Sequence, residues 1–353
     1  MTRDAPDPPR SRAQSILPGL AAITATLIAW SVAPLLIRSF RGVVDPHTNN
    51  AFRYAVGALL WAPVLLRQIH GGRLDASVFR RALWPLGFNI IGQVCFTASF
   101  YEIDPGLVTF GLRAQIVCVA IAAPLVFPAE KAVLRSPVFL IGIGAVLTGV
   151  LTMAALAIGH AGGGDGLASE ADRARTIRGV ALAIAAGIGY AGYGLGVRKC
   201  LDGVPHTTSF AVIGLMTTLG MVVVALVLSP TRGLVGFAIE PADYARLLLA
   251  GVIGIGLSHV LFYIAMEKLG VALATGVIQT QPVLVFLGSA AIYSERLTGL
   301  QLAFGLLAIA GAIVMLSAKR ADQHPVGAHD DHDAESESPD FVSLESEVES
   351  RAR

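Results

Sequence analysis

Two stretches decide the reading of this chain: GLAAITATLIAWSVAPLLIR at residues 19–38 and GVALAIAAGIGYAGYGLGVR at residues 179–198. Each begins on glycine, runs through apolar and small residues and stops at arginine; the first is followed by Pro46-His47-Thr48, the second by Pro205-His206-Thr207. A bilayer core about 30 Å thick needs roughly 20 mostly apolar residues per helix, so each stretch is long enough to span one. Working outward, comparable runs lie at about 18–38, 50–68, 83–101, 106–127, 137–158, 179–198, 207–229, 246–266, 271–292 and 299–317. Lipid offers the backbone no hydrogen-bond partners, so each run must close its own bonds as a helix, and the alternation of a membrane barrel is absent. The first run is too long and lies too far from the start for a removable signal peptide.

Composition agrees. Of 353 residues 54% are hydrophobic and only 14% charged, against about 25% charge in soluble domains. That is too little charge to coat a water-facing surface, which counts against a soluble enzyme, a nucleic-acid binder or a disordered scaffold. The 38 glycines suit helices packed closely in lipid. Cys95, Cys118 and Cys200 lie in or beside apolar runs without metal-ligand spacing and read as packing residues.

The halves correspond further. Glu102, Gly106, Gln115 and Glu130-Lys131 are answered by Glu267, Gly270, Gln279 and Glu295-Arg296, at offsets between 159 and 165. Five spans per half is an odd number, so the second half must cross the membrane in the opposite sense. The expected fold is an all-α membrane protein with ten transmembrane helices as two inverted five-helix repeats, a plan that suits alternating access. The expected organisation is an N-terminal segment 1–17, repeats at 18–158 and 179–318, a flexible glycine-rich linker at 159–178, and an acidic disordered tail at 319–353. With the N-terminus inside, fourteen Lys and Arg fall on cytoplasmic segments and eight outside. This favours cytoplasmic termini in a cell (inner) membrane, although Arg173, Arg175 and Arg178 in the central outer loop run against it.

The chain resembles EamA-type permeases of the drug/metabolite transporter superfamily over about residues 18–318. The likeness rests on Trp30-Ser31, on Phe52-Arg53-Tyr54 with Gly57-Ala58-Leu59-Leu60, and on the Glu-basic pairs after the fourth and ninth spans. It departs from the family in carrying Pro-Ala-Glu130-Lys131 where Glu-Arg is usual, and Pro282 has no partner near Cys118. The resemblance implies secondary transport of a small organic metabolite, such as an amino acid, with export common in the family.

Polar groups at membrane depth are candidate parts of a transport path. Arg113, opposite Val277 in the repeat, either meets a substrate carboxylate or phosphate or bridges to Glu102 or Asp104. Asn89 and Gln93 on the third span, and His259 and Tyr263 on the eighth, are spaced to share a helix face. They serve substrate contact or interhelical hydrogen bonding, and His259 is a candidate carrier of a coupling proton. Gln115 and Gln279 are repeat partners, and Gln281 points to another face. Pro282 frees the carbonyl of Ile278 and bends the ninth span. Trp30, Tyr190 and Tyr193 lie too deep for the interfacial belt and form either an aromatic wall or core filling. The pairs Glu130-Lys131 and Glu295-Arg296 read as caps and orientation signals ahead of gates.

Gly162-Gly163-Gly164 has no phosphate-loop lysine after it, and no cofactor, nucleotide or metal motif is expected. The tail histidines His324, His329 and His332 are solvated ahead of binding metal. The expected partners are a small-molecule substrate and the lipid bilayer, with room for a homodimer and none for nucleic acid. The leading function is efflux by alternating access; uptake of an amphipathic vitamin or anionic metabolite, and a non-transporting membrane scaffold, are the alternatives. The formal +1 joins a body of +9 (residues 1–320) to a tail of −8 (321–353).

Overall fold

The computed structural model describes residues 12–72, 74–160 and 170–323. Among these the chain is all helical and contains no strand. The helices are α1 (Arg12–Ser39), α2 (Pro46–His70), α3 (Ala76–Arg81), α4 (Leu83–Glu102), α5 (Pro105–Gly111), α6 (Ala114–Val126), α7 (Pro137–His160), α8 (Glu170–Cys200), α9 (His206–Leu228), α10 (Pro241–Gly251), α11 (Ser258–Leu269), α12 (Val271–Ile278), α13 (Gln281–Tyr293) and α14 (Gly299–Gln323). A π-helical stretch, Val252–Leu257, joins α10 to α11, and a 3-10 segment, Pro128–Arg135, follows α6.

Nine helical segments among the described residues are long and apolar enough to cross a membrane. The expected second span, 50–68, lies within α2, which is not one of the nine: Thr48, Asn49, Asn50 and Arg53 crowd its first half. Asp45 accepts from the backbone N–H groups of His47 and Thr48, and Pro46 occupies the first turn, so α2 starts earlier than its apolar run. Large apolar side chains such as Leu59, Leu125 and Val227 point outward at more than 70% exposure, as a lipid-facing surface requires.

Helices pair across the chain. The firmest contacts join α7 to α14, α4 to α8, α2 to α9 and α1 to α11; α6 also packs on α8, α5 on α13 and α1 on α13. Gly189 sits against Gly92, where an added Cβ would stand 2.6 Å from Gly92 Cα, so α8 and α4 meet almost backbone to backbone. Gly192 and Gly196 face Phe88 and Trp84 on the same helix, in keeping with the expected small-residue packing.

The linker expectation needs correction. Helix α8 begins at Glu170, with Glu170 and Asp172 favourably placed in its first turn. Arg175 and Arg178 approach the Glu102 carboxylate at 3.7 and 3.2 Å. The chain is therefore helical and ion-paired through 170–178, while 161–169 lie outside the described residues. Helix α14 likewise continues to Gln323, past the expected start of the tail. The remaining tail with its histidines, and the segment 1–11, lie outside the described residues.

Candidate substrate site

Two spans are broken at mid-course. Between α5 and α6 the backbone turns 3-10-like: Arg113 N–H donates to Phe110 O, Gln115 N–H to Leu112 O and Ile116 N–H to Arg113 O, all at 3.0 Å. Between α12 and α13, Gln279 N–H donates to Gly276 O and Thr280 N–H to Val277 O at 3.1 Å, with Pro282 in the first turn of α13. The bend expected at Pro282 is present; the one at Arg113 has no proline to mark it. The breaks lie 167 residues apart (Gly111 to Ile278, Ala114 to Gln281). Aligned on them, Arg113 corresponds to Thr280 and Gln279 to Leu112, which corrects the expected partnership of Gln115 with Gln279. Gln115 instead sits beside Gly187 of α8, where a Cβ would stand 3.0 Å from its backbone nitrogen.

Arg113 spans the two breaks. Its Nη1 donates to Gln279 Oε1 at 2.6 Å and its Nη2 to Gln281 Oε1 at 3.1 Å, with Nε 3.4 Å from Thr109 O, and the residue is 8% exposed. The alternative bridge to Glu102 or Asp104 does not form. Glu102 faces Arg175 and Arg178, and Asp104 accepts from Arg38 at 2.8 Å. Gln281 joins the same guanidinium as Gln279 because the break resets the helical phase between them, correcting the expectation of separate faces. Its Nε2 donates to Trp30 O at 2.7 Å, linking the cluster to α1.

Trp30 Nε1 donates to Ser258 Oγ at 2.7 Å, and its ring lies 5.3 Å from that of His259 and 5.1 Å from Phe262. His259 in turn packs on Phe210 at 5.0 Å, while Tyr263 stacks on His206 at 5.4 Å. The π-helical stretch before α11 leaves the Gly256 carbonyl to Trp61 Nε1, at 2.9 Å. Such π segments occur often at functional sites, and periodicity alone gives no sign of this one. Trp30, Arg113, His259 and Gln279 thus form one connected group, with Gln281, Phe210 and Trp61 as members that sequence reasoning did not select.

Asn89, Gln93 and Tyr190 gather elsewhere, around α2. Asn89 Nδ2 donates to Thr217 Oγ1 at 2.9 Å, an interhelical bond between α4 and α9. Tyr190 packs beside Gly92 and meets the Phe96 ring at 5.7 Å, while Gln93 Oε1 is buried without a partner. Tyr193 packs against the buried cluster around Val212 and Leu201. Beside this group lies Arg53, 2% exposed, with Nη1 at 3.3 Å from Asn50 Oδ1 and 3.4 Å from Thr97 Oγ1. Sequence reasoning placed Arg53 near a helix end; the Asp45-Pro46 start signal would have moved it two turns inward.

Glu295 has a role its position in the chain hides. Its carboxylate accepts from Gly106 N–H and Leu107 N–H, both at 2.9 Å, capping α5 from the opposite half. Capping is thus the outcome, but of the fourth span's start and not the ninth span's own end. A Cβ at Gly106 would lie 2.7 Å from a Glu295 oxygen, so any larger residue there would have to push the capping carboxylate aside. Burial pushes the Glu295 carboxyl above its ordinary range, against the pull of the hydrogen bonds it accepts. The side chain of Glu130 lies outside the described residues.

Residues 177–317 match the EamA-like transporter family. No curated protein matches the chain. A solved crystal structure is 19% identical, with a TM-score of 0.57, covering 88% of this chain and 100% of its own; at that identity the likeness concerns the fold alone.

Proposed function

Since the second half of this chain, residues 177–317, belongs to the EamA-like transporter family, within the drug/metabolite transporter superfamily, we propose that the protein is a secondary transporter that moves a small organic metabolite by alternating access. In this reading ten helices form two inverted five-helix repeats in a cell (inner) membrane, with both termini cytoplasmic. The helix pairing supports it. Exchanging the halves turns the α4–α8 contact into the α1–α11 contact and the α6–α8 contact into the α1–α13 contact, while α2–α9 and α7–α14 map onto themselves. A scaffold has no need of such exchange symmetry around broken spans; a carrier with two mirror-related states does.

The solute site in this reading lies where the two breaks meet, with Arg113, Gln279 and Gln281 on one side and Trp30, His259 and Phe262 on the other. An amino acid or related compound, exported, is the leading substrate. A second reading, uptake of an anionic metabolite, is favoured by one observation: Arg113 has no carboxylate partner among the described residues, only amide and carbonyl oxygens.

Flux measured in proteoliposomes loaded with candidate metabolites tests the proposal. Wild type should carry a solute, and Arg113→Ala and Gln279→Ala should each slow it by about tenfold or more, the loss of a charge-assisted bond. Normal flux in both variants removes the site, and no flux with any solute favours the scaffold.

A further inference from the structure

We propose that Arg53, with Thr97 and Asn50, is an oxyanion-binding subsite for the transported solute, accepting a carboxylate or phosphate group; the inference rests on the transporter reading above. Arg53 is buried among α2 and α4 with no carboxylate in salt-bridge reach among the described residues. Its two hydrogen bonds, at 3.3 and 3.4 Å, go to neutral oxygens, and Asn50 Oδ1 already accepts a shorter one, 2.7 Å, from Thr97 Oγ1. Its Nε is buried without any partner. A buried cation in this condition destabilises the protein that carries it unless an anion arrives.

The fold itself does not require the charge. Pro46 and Pro205 are matching positions in the two halves, so Arg53 corresponds to Val212. Val212 is fully buried in an apolar cluster. One half fills the position with a valine, the other with an unneutralised guanidinium, and packing alone favours the valine.

A pit of about 360 Å³ opens to the surface at the start of α2, between Asp45, Tyr101 and Thr231. Tyr101, one of the residues lining it, accepts through Oη from Asn49 Nδ2 at 3.0 Å, one turn of α2 before Arg53. The Asp45 carboxylate at the rim is held by Thr48 and Ser229 and lies eight residues, or about 12 Å of helix, from Arg53, so it does not neutralise the arginine. The two helices that hold the cation also carry buried acceptors without donors, Asn49 Oδ1 on α2 and Gln93 Oε1 on α4. A solute carrying an oxyanion and a hydrogen-bond donor satisfies both deficits at once.

The test uses the full chain in a neutral detergent, with sodium phosphate, sodium acetate and sodium chloride as probes at equal ionic strength. Phosphate or acetate should raise the wild-type melting temperature saturably above chloride, and whichever does so names the group. Arg53→Met should weaken the apparent affinity roughly tenfold to a hundredfold, as loss of bonds to a charged group implies, while melting higher than wild type in chloride. Arg53→Lys should retain part of the response, Thr97→Val should reduce it, and exposed Arg80→Ala should leave it unchanged. The proposal is overturned if neither anion exceeds chloride, or if Arg53→Met and Thr97→Val both respond as wild type does. Flux separates it from the reading beneath it. A wild type that carries only neutral or cationic solutes ends the subsite and keeps the transporter, whereas anion binding through Arg53 with no flux of any solute keeps the subsite and ends the transporter.

Discussion

Removing the Glu295 carboxylate should loosen the joint between the halves by an amount that the geometry bounds. It accepts two backbone N–H groups, Gly106 and Leu107, at 2.9 Å each, and the residue is only 5% exposed. Each donor left bare in a buried place costs about 1–3 kcal/mol, so Glu295→Ala should destabilise by about 2–6 kcal/mol. Glu295→Gln keeps one carbonyl oxygen and should lose about half of that. The pH dependence has a definite sign. Burial raises the folded-state pKa of this carboxyl, so the folded protein holds the proton more tightly than the unfolded one, and this group's contribution to stability falls as pH rises through the raised pKa. Wild type should therefore gain on Glu295→Gln as the buffer is taken from neutral toward the carboxylate range. Thermal unfolding of the three purified proteins in one detergent, followed by tryptophan fluorescence across pH, reads both effects. Alanine and glutamine variants that melt with wild type at every pH would refute the cap.

Other outcomes follow from the same contacts. Asp45→Ala should cost about 1 kcal/mol as an N-cap loss. Burial pushes the Asp45 carboxyl up, but hydrogen bonds from Thr48, Ser229 and the His47 backbone outweigh it and hold the pKa below normal. Its stabilisation is thus present at neutral pH and lost as pH falls through that lowered pKa, which an acid titration of wild type against the variant would detect. Gly189→Leu should destabilise by about 1–3 kcal/mol or more through overpacking against Gly92. Gly194→Leu, with open space around its position, should melt close to wild type, and equal melting of both leucine variants would contradict the backbone contact between α4 and α8.

The helices were readable wherever an apolar run coincided with helix bounds, because lipid makes span length a direct consequence of hydropathy. The reading slipped where hydropathy and backbone part company. Helix α2 starts at Pro46, in a polar stretch, so a search for apolar residues began the span at 50 and left Arg53 looking peripheral. Pro282 announced the break in the ninth span through a missing N–H. The matching break at Leu112–Arg113 carries no such residue and emerges from tertiary contacts, Gly187 of α8 pressing on its backbone and Arg113 reaching across to Gln279. The family resemblance drew attention to Phe52-Arg53-Tyr54 and to Glu295-Arg296 without stating what either touches. Partners of Arg113 and Glu295 lie more than 160 residues away in the chain, a distance that local pattern cannot resolve.

Exchange of contacts between the halves has a consequence for how the molecule can be taken apart. The first half borrows its α5 cap from Glu295 and holds Gln281 through the Trp30 carbonyl, while Trp30 itself leans on Ser258. Neither half is a self-sufficient domain: each is an incomplete object whose polar loose ends are finished by the other. Cut between residues 160 and 170 and made as two polypeptides, the halves should reassemble when produced together, and each alone should expose unfinished helix ends to the quality control of the cell.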